Sequence, residues 1–322
     1  MFRDVHETCL KIRSLLEEAV KRNLADGILL SGGLDTSILA FIASKFTSLK
    51  AFTVAFNEGP ALDIEYAKSM AGELGLTHTI YRFGKGELYA SLPQVIEALR
   101  SFDPMEVRNS VSIYVGLKTA KESKVRRVMT GDGADELFAG YSFLFKLEGE
   151  KLDLALQKIW RTMSFSSTVL AKALRMDVRA PYLDPEFKEF AMNIDSKYKV
   201  RTKDGKVYGK WILRKAYEGL LPKGITWRSK VSIEYGTGTT ILPKLFDEEV
   251  SEQDFDEKRR KYLSEDKVRI RDKEHLIYYE LYRSIFGPPY ALRRNKERAC
   301  PHCNASVPKT ATYCKTCGAY PI

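Results

Sequence analysis

The residues Ser31-Gly32-Gly33-Leu34-Asp35-Thr36-Ser37 follow the apolar run at 27–30 and lead into a second apolar run, 38–46, of helical periodicity. This order predicts a strand, a tight turn and the start of a helix. Gly32 and Gly33 let the backbone approach a ligand, and the unpaired N–H groups and positive dipole end of the helix make an anion site. Ser31, Thr36 and Ser37 add hydroxyl donors. The loop lacks the lysine with which a G-x-x-x-x-G-K-S/T loop holds β- and γ-phosphates. It carries Asp35 instead, which repels phosphate unless a metal lies between them. The combination points to a magnesium-bound polyphosphate.

A second stretch, Thr130-Gly131-Asp132-Gly133-Ala134-Asp135-Glu136-Leu137-Phe138-Ala139-Gly140-Tyr141, again follows a short apolar run and sets three carboxylates within five residues. Carboxylates that close repel one another unless a cation or a substrate ammonium joins them. In the last 23 residues Cys300-x-x-Cys303 and Cys314-x-x-Cys317 stand ten residues apart. Four thiolates at this spacing predict a closed tetrahedral structural Zn²⁺ site, because so short a module has too little core to fold without metal. His302, inside the first knuckle, is not expected to be a ligand.

The elements that must position these groups follow from hydrophobic periodicity. A helix is predicted from Val5 to Val20, with Cys9 a buried small hydrophobe on its apolar stripe. Strands are expected at 50–56 and 77–83, a helix from Asp63 to Leu74 closed by Gly75, helices over 88–99 and 110–122 around a turn at Phe102-Asp103-Pro104, and a short strand at 126–129. Strands alternating with helices give an α/β fold, a parallel sheet with helices on both faces, whose ligands bind at the carboxyl ends of the strands. Both glycine-rich turns lie there. Phe138, Tyr141, Phe143 and Phe145 are expected in the core. The region 246–273 mixes charges of both signs and reads as exposed helix, and a basic linker at 293–299 precedes the ribbon at 300–322. With 322 residues, 44% hydrophobic, no apolar run of membrane-spanning length and no signal-peptide h-region, the chain is expected to be cytoplasmic and free of membrane contact. A net charge of +10 suits either an RNA or charged metabolites such as ATP.

The Ser31–Ser37 loop resembles the pyrophosphate loop of ATP-pyrophosphatases, and 131–141 resembles the signature of the synthetase domain of asparagine synthetases. Val178-Arg-Ala-Pro-Tyr-Leu-Asp184 is similar to that family's R-x-P-F/Y-L-D segment. Trp211-Ile-Leu-Arg214, Leu221-Pro222 and Trp227-Arg-Ser-Lys230 are similar to its K-x-x-L-R, LP and R-x-K run, and 274–289 to its closing helix and tail. The resemblance covers about residues 5–292 and implies an adenine nucleotide alpha hydrolase-like domain at 1–292. β-Lactam synthetases share this architecture.

The activity implied is a two-step amidation: ATP adenylates a carboxylate of aspartate or a related substrate, releasing pyrophosphate, and ammonia displaces AMP. By the family's pattern Asp35 and Asp135 hold Mg²⁺ on a pyrophosphate cradled by Ser31, Gly32, Gly33, Thr36 and Ser37. Leu30 and Val54 contact adenine and ribose through backbone, and Thr130 and Gly131 line the nucleotide and acyl site. Lys230 neutralises the leaving pyrophosphate. Asp132, where the family often has Glu, positions the nucleophile and takes its proton. Arg108, Arg179 and Arg214 are candidates for the substrate carboxylate or for helix-packing ion pairs. Glutamine-dependent asparagine synthetases begin with a glutaminase domain bearing an N-terminal cysteine. Here Met1-Phe2 leads almost at once into the synthetase part, so ammonia is expected to come free or from a separate glutamine amidotransferase subunit. Two alternatives stay open: an enzyme that adenylates a base within a tRNA, its ribbon holding RNA or a protein, and a nucleotide-binding regulatory subunit.

Overall fold

A computed structural model of the chain describes residues 4–292 and 297–322; linker residues 293–296 lie outside the described residues. The chain forms two compact units. The first comprises Met1–Thr53, Leu62–Tyr81 and Gly116–Ser232, and the second Val54–Ala61, Arg82–Val115 and Ile233–Ile322.

In chain order the first elements are α1 (Val5–Arg22), β1 (Gly27–Leu29), α2 (Leu34–Ala43), β2 (Lys50–Phe56), α3 (Asp63–Glu73), β3 (Thr77–Phe83), α4 (Lys85–Leu99) and α5 (Pro104–Glu122). They are followed by β4 (Arg127–Met129) and β5 (Asp177–Arg179). The alternation expected from periodicity is present. The helix α5 begins earlier than the sequence suggested, because Pro104 tolerates the first helical position, where no N–H is needed.

The five strands form one sheet in the order β3-β2-β1-β4-β5. β1 pairs in parallel with both β2 and β4, and β4 with β5. Strand order therefore reverses between β1 and β4. In an open α/β sheet the loops leaving two such strands diverge over a crevice at their carboxyl ends, which is where ligands bind. Those loops are Leu30–Gly33 and Thr130–Gly133.

The core of the first unit packs α1 through Cys9, Ile12, Leu15, Leu16, Ala19 and Val20, with α2 buried nearly all round. Asp4 caps α1 by accepting from the His6 and Glu7 amides. Arg22 at its far end donates to both carboxylate oxygens of Asp184, at 3.0 and 2.7 Å. That pair fastens the 178–184 segment to α1. In the second unit Phe102 is enclosed by His275, Tyr279 and Tyr282, with ring centroids 5.0–5.1 Å away. The helices Leu242–Glu249 and Glu252–Glu265 bury Phe246, Phe255 and Tyr262, which interrupts the exposed surface expected for 246–273. Among the described residues no helix is long and apolar enough to cross a membrane.

Gly32 shows how tightly the first unit fixes the β1 loop. Its φ is +64°, and a Cβ there would lie 2.4 Å from the backbone of Tyr66 and Ala67 on α3. The need for glycine thus comes from α3 as much as from any ligand. Gly32→Ala is expected to lower stability by about 2 kcal/mol or more, through strain and overpacking. Gly33→Ala, at φ −76° and with only the Ser31 hydroxyl oxygen nearby at 3.1 Å, should change it by less than about 1 kcal/mol. Urea unfolding of the two variants measures the contrast.

Candidate active site and four-cysteine centre

No side chain caps the N-terminus of α2, so its first-turn amides are left without a side-chain partner. The loop before it is pre-shaped by its own hydroxyls. The Ser31 amide donates to Thr36 Oγ1 at 3.2 Å, the two hydroxyls lie 3.1 Å apart, and the Gly33 amide donates to Ser31 Oγ at 3.2 Å. Arg228 holds the loop from outside. It donates to the Ser31 carbonyl (3.2 Å) and to Asp63 Oδ1 (2.8 Å), and its guanidinium lies 3.8 Å from the Tyr66 ring centroid. Burial raises the Asp63 carboxyl, and the charge of Arg228 offsets that only in part. Tyr182, fully buried in the 178–184 segment, donates its hydroxyl to the Asp35 carbonyl at 3.1 Å. The Ser37 hydroxyl is buried without a hydrogen-bond partner.

The β4 loop converges on this one. A Cβ on Gly131 would lie 3.1 Å from Asp35 Cβ and 3.3 Å from Thr36 Cγ2. Asp35 and Asp135 are bridged by a lysine that sequence reasoning did not single out. Lys210 Nζ lies 2.5 Å from Asp35 Oδ2 and 2.7 Å from Asp135 Oδ1. Lys230 Nζ reaches the other oxygen of Asp135 at 2.9 Å. Burial opposes charge on Asp135, but the two ammoniums overrule it and hold the carboxyl well below its usual range. Lys210 is likewise penalised by burial, yet the paired carboxylates raise it above the ordinary lysine value. Gly140 makes the arrangement possible, since a Cβ there would collide with Asp135 Oδ1 at 1.8 Å and Lys210 Cε at 2.4 Å. Asp132 accepts from Thr130 Oγ1 at 2.7 Å and from the Ser167 hydroxyl, and burial raises its carboxyl against the pull of those two donors.

The residues present fit a hard cation. Asp35 Oδ1 is a buried acceptor without a hydrogen-bond partner, and two carboxylates supply the oxygen ligands that Mg²⁺ prefers. Asp35 and Asp135 are already balanced by Lys210 and Lys230, so a divalent cation entering here must bring an anion with it. Beside the pair opens a cavity of about 330 Å³, lined among others by Lys206, Tyr208, Lys210, Ser229 and Lys230.

The other candidate residues make the following contacts. Leu30 donates its amide to the Phe52 carbonyl at 2.8 Å, and its own carbonyl accepts from Thr53 Oγ1 at 2.5 Å. Val54 is half-buried on β2. Arg108 pairs with Glu274 at 3.3 Å and Glu234 at 3.5 Å in the second unit. Arg214 is buried and donates to the carbonyls of Gly209, Thr226 and Arg228. Arg179 pairs with Asp177. Phe138 is core as expected, but Phe143 is 64% exposed and stacks on Tyr141 at 5.6 Å. It lies on a short 3₁₀ turn, Ser142–Lys146, that turns Leu144 inward instead.

The four cysteines gather at one point. Their sulfurs lie within 4.8 Å of one another, with Cys300 and Cys317 3.8 Å apart and Cys303 and Cys314 3.7 Å apart. Four thiolates about 2.3 Å from a tetrahedral Zn²⁺ stand about 3.8 Å from each other, so the cluster could hold that ion. The ribbon is bound closely to its own unit. Phe102 donates its amide to the Thr316 carbonyl (2.8 Å), Ser101 its hydroxyl to Lys315 (2.7 Å), and Arg271 to the carbonyls of Cys317 and Gly318 (2.9 and 3.0 Å). The Tyr313 hydroxyl meets Asp103, and the Arg269 amide the His302 carbonyl.

Two outcomes follow from these contacts. Lys210→Met, which leaves two carboxylates facing each other in a buried site, is expected to cost about 3 kcal/mol in urea unfolding. Added Mg²⁺ should restore part of that loss and leave the native chain less affected. A chelator that strips the ion the four cysteines could hold should abolish hydrogen-exchange protection at the Phe102 amide, although Phe102 lies far from the ribbon in sequence.

The chain matches the family described as asparagine synthase over residues 11–174 and 154–298. A probable glutamine-hydrolyzing asparagine synthetase of Dictyostelium discoideum is 31% identical over 85% of this chain and 55% of its own length. The glutamine-hydrolyzing asparagine synthetase B of Escherichia coli K12 is 28% identical over 87% of this chain and 54% of its own. The chain spans about half the length of these relatives. Among solved structures, an NMN synthetase from Francisella tularensis covers 88% of this chain and 94% of its own at 14% identity, with a TM-score of 0.39 too low to bear on function. From the matched residues, which run through most of the first unit and much of the second, the chain belongs to the asparagine synthase family.

Proposed function

We propose that this protein is an ATP-dependent amidoligase that adenylates the carboxylate of aspartate or a related acid, releases pyrophosphate and transfers ammonia to the acyl group. The observation that carries this reading is the meeting of Asp35 and Asp135, from the loops after β1 and β4, on Lys210 and Lys230. The uncapped amides of α2 and the Ser31 and Thr36 hydroxyls would receive the pyrophosphate, and Asp35 and Asp135 are the residues that would hold Mg²⁺. When bound, that ion screens the phosphate oxygens from the carboxylates and polarises the phosphorus. A substrate carboxylate oxygen attacks the α-phosphorus as the bond to pyrophosphate breaks. Lys230, and Lys210 behind it, neutralise the charge that gathers on the leaving group. Ammonia then attacks the acyl carbon, AMP departs with the bonding electron pair, and Asp132 accepts the proton. The ribbon holds Zn²⁺ through Cys300, Cys303, Cys314 and Cys317 in a structural role.

A second reading rests on charge. Lys206 and Lys230 line the cavity beside the carboxylate pair. Such a rim suits a polyanion, and an RNA base would then be the adenylated group.

The deciding experiment supplies ATP, Mg²⁺ and a nitrogen source, ammonium or glutamine, to the chain with aspartate, other carboxylates or bulk tRNA, and identifies the products. AMP and pyrophosphate with a small carboxylate are expected. ADP and phosphate would remove the proposal, and turnover with tRNA alone would favour the second reading. Lys230→Ala should lower kcat by about 10²-fold while the KM for ATP changes much less, as for a donor that acts on developing charge. Equal losses in both would make Lys230 a binding residue only.

A further inference from the structure

Asp132 is held in an asymmetric way. Its two hydrogen bonds, from Thr130 Oγ1 and from the Ser167 hydroxyl, both arrive at Oδ2. Neither of these donors reaches Oδ1. The two donors come from different elements. Thr130 stands at the end of β4, where its amide is tied to the Arg179 carbonyl of β5 at 3.0 Å. Ser167 lies in the first turn of the helix Ser166–Ala173 and is 2% exposed, with the helix packed against β5. One oxygen of the carboxylate is therefore fixed from two sides while the other lies outside the clamp.

The χ2 torsion of an aspartate is broad and roughly two-fold, so a single donor leaves the carboxylate free to swing. Two donors on one oxygen remove that freedom. We propose that Ser167 is a positioning residue for the second half-reaction: with Thr130 it pins Asp132 Oδ2 so that Oδ1 orients the attacking ammonia and receives its proton. The nitrogen lone pair forms the C–N bond, the bond from acyl carbon to AMP oxygen breaks with its electrons leaving on AMP, and one N–H proton passes to Oδ1. This inference rests on the amidoligase reading above.

The test separates the two half-reactions. Ser167→Ala should leave carboxylate-dependent ATP–pyrophosphate exchange within about twofold of the native chain, which also reports that the site is folded. Amide formation should fall by roughly 10- to 100-fold, the scale on which misplacement of a reacting group acts. Asp132→Asn should show the same division more strongly, and Ser167→Thr, which keeps the hydroxyl, should recover most of the amide-forming rate. Equal loss of exchange and amide formation in Ser167→Ala would make Ser167 a packing residue and overturn the inference. So would an unchanged amide-forming rate. Absence of exchange in the native chain with every carboxylate would instead defeat the amidoligase reading itself, and this inference with it.

Discussion

The ammonium of Lys210 between the carboxylates of Asp35 and Asp135 is the contact on which the first unit's site depends. Two carboxylates brought together at the end of a parallel sheet repel strongly once water is excluded, and burial makes each costlier to ionise. Lys210 resolves both problems at once, and Lys230 completes the balance on Asp135. The result is a charge-neutral cluster that a divalent cation could enter only together with an anion. A site of this kind has no reason to bind the metal alone.

Much of the surrounding structure holds that cluster in place. Arg228 fixes the Ser31 carbonyl and aims the chain so that Lys230, two residues on, reaches Asp135. Tyr182 fixes the Asp35 carbonyl, and its segment is tied to α1 through Arg22 and Asp184. Gly140 clears the space in which Asp135 meets Lys210. These groups touch no reacting atom, but each removes a degree of freedom from a group that the proposed chemistry needs to be pre-positioned.

The second unit is organised by a different constraint. Phe102 sits in an aromatic nest, and the loop that carries it is bonded on its outer side to the ribbon. A module of about twenty residues has almost no core of its own, so it borrows order both from its four-cysteine centre and from the Ser101–Asp103 loop. Removal of either support weakens the other. The ribbon is therefore part of the second unit's packing, and removing residues 300–322 would expose a surface the unit relies on.

The sequence by itself determined what is local. Period-3.6 and period-2 patterns marked α1, β2, α3 and β3, glycine and hydroxyl residues marked the two loops, and four cysteines at knuckle spacing marked the four-cysteine centre, because each of these depends on neighbours within a few residues. The tertiary structure alone decided which distant groups meet. Lys210 is one of 52 Lys and Arg residues, separated by 175 positions from Asp35, and no periodicity distinguishes it from a solvated lysine. Ser167 reads as an ordinary helix-start serine until the sheet brings its helix beside the β4 loop. Arg108 and Arg214 are equally suited in sequence to a substrate carboxylate, and only packing assigns the first to Glu234 and Glu274 and the second to backbone carbonyls. Charge pairing across an α/β sheet is set by strand order and by which loops share its carboxyl edge, and that order is written in no single stretch of the chain.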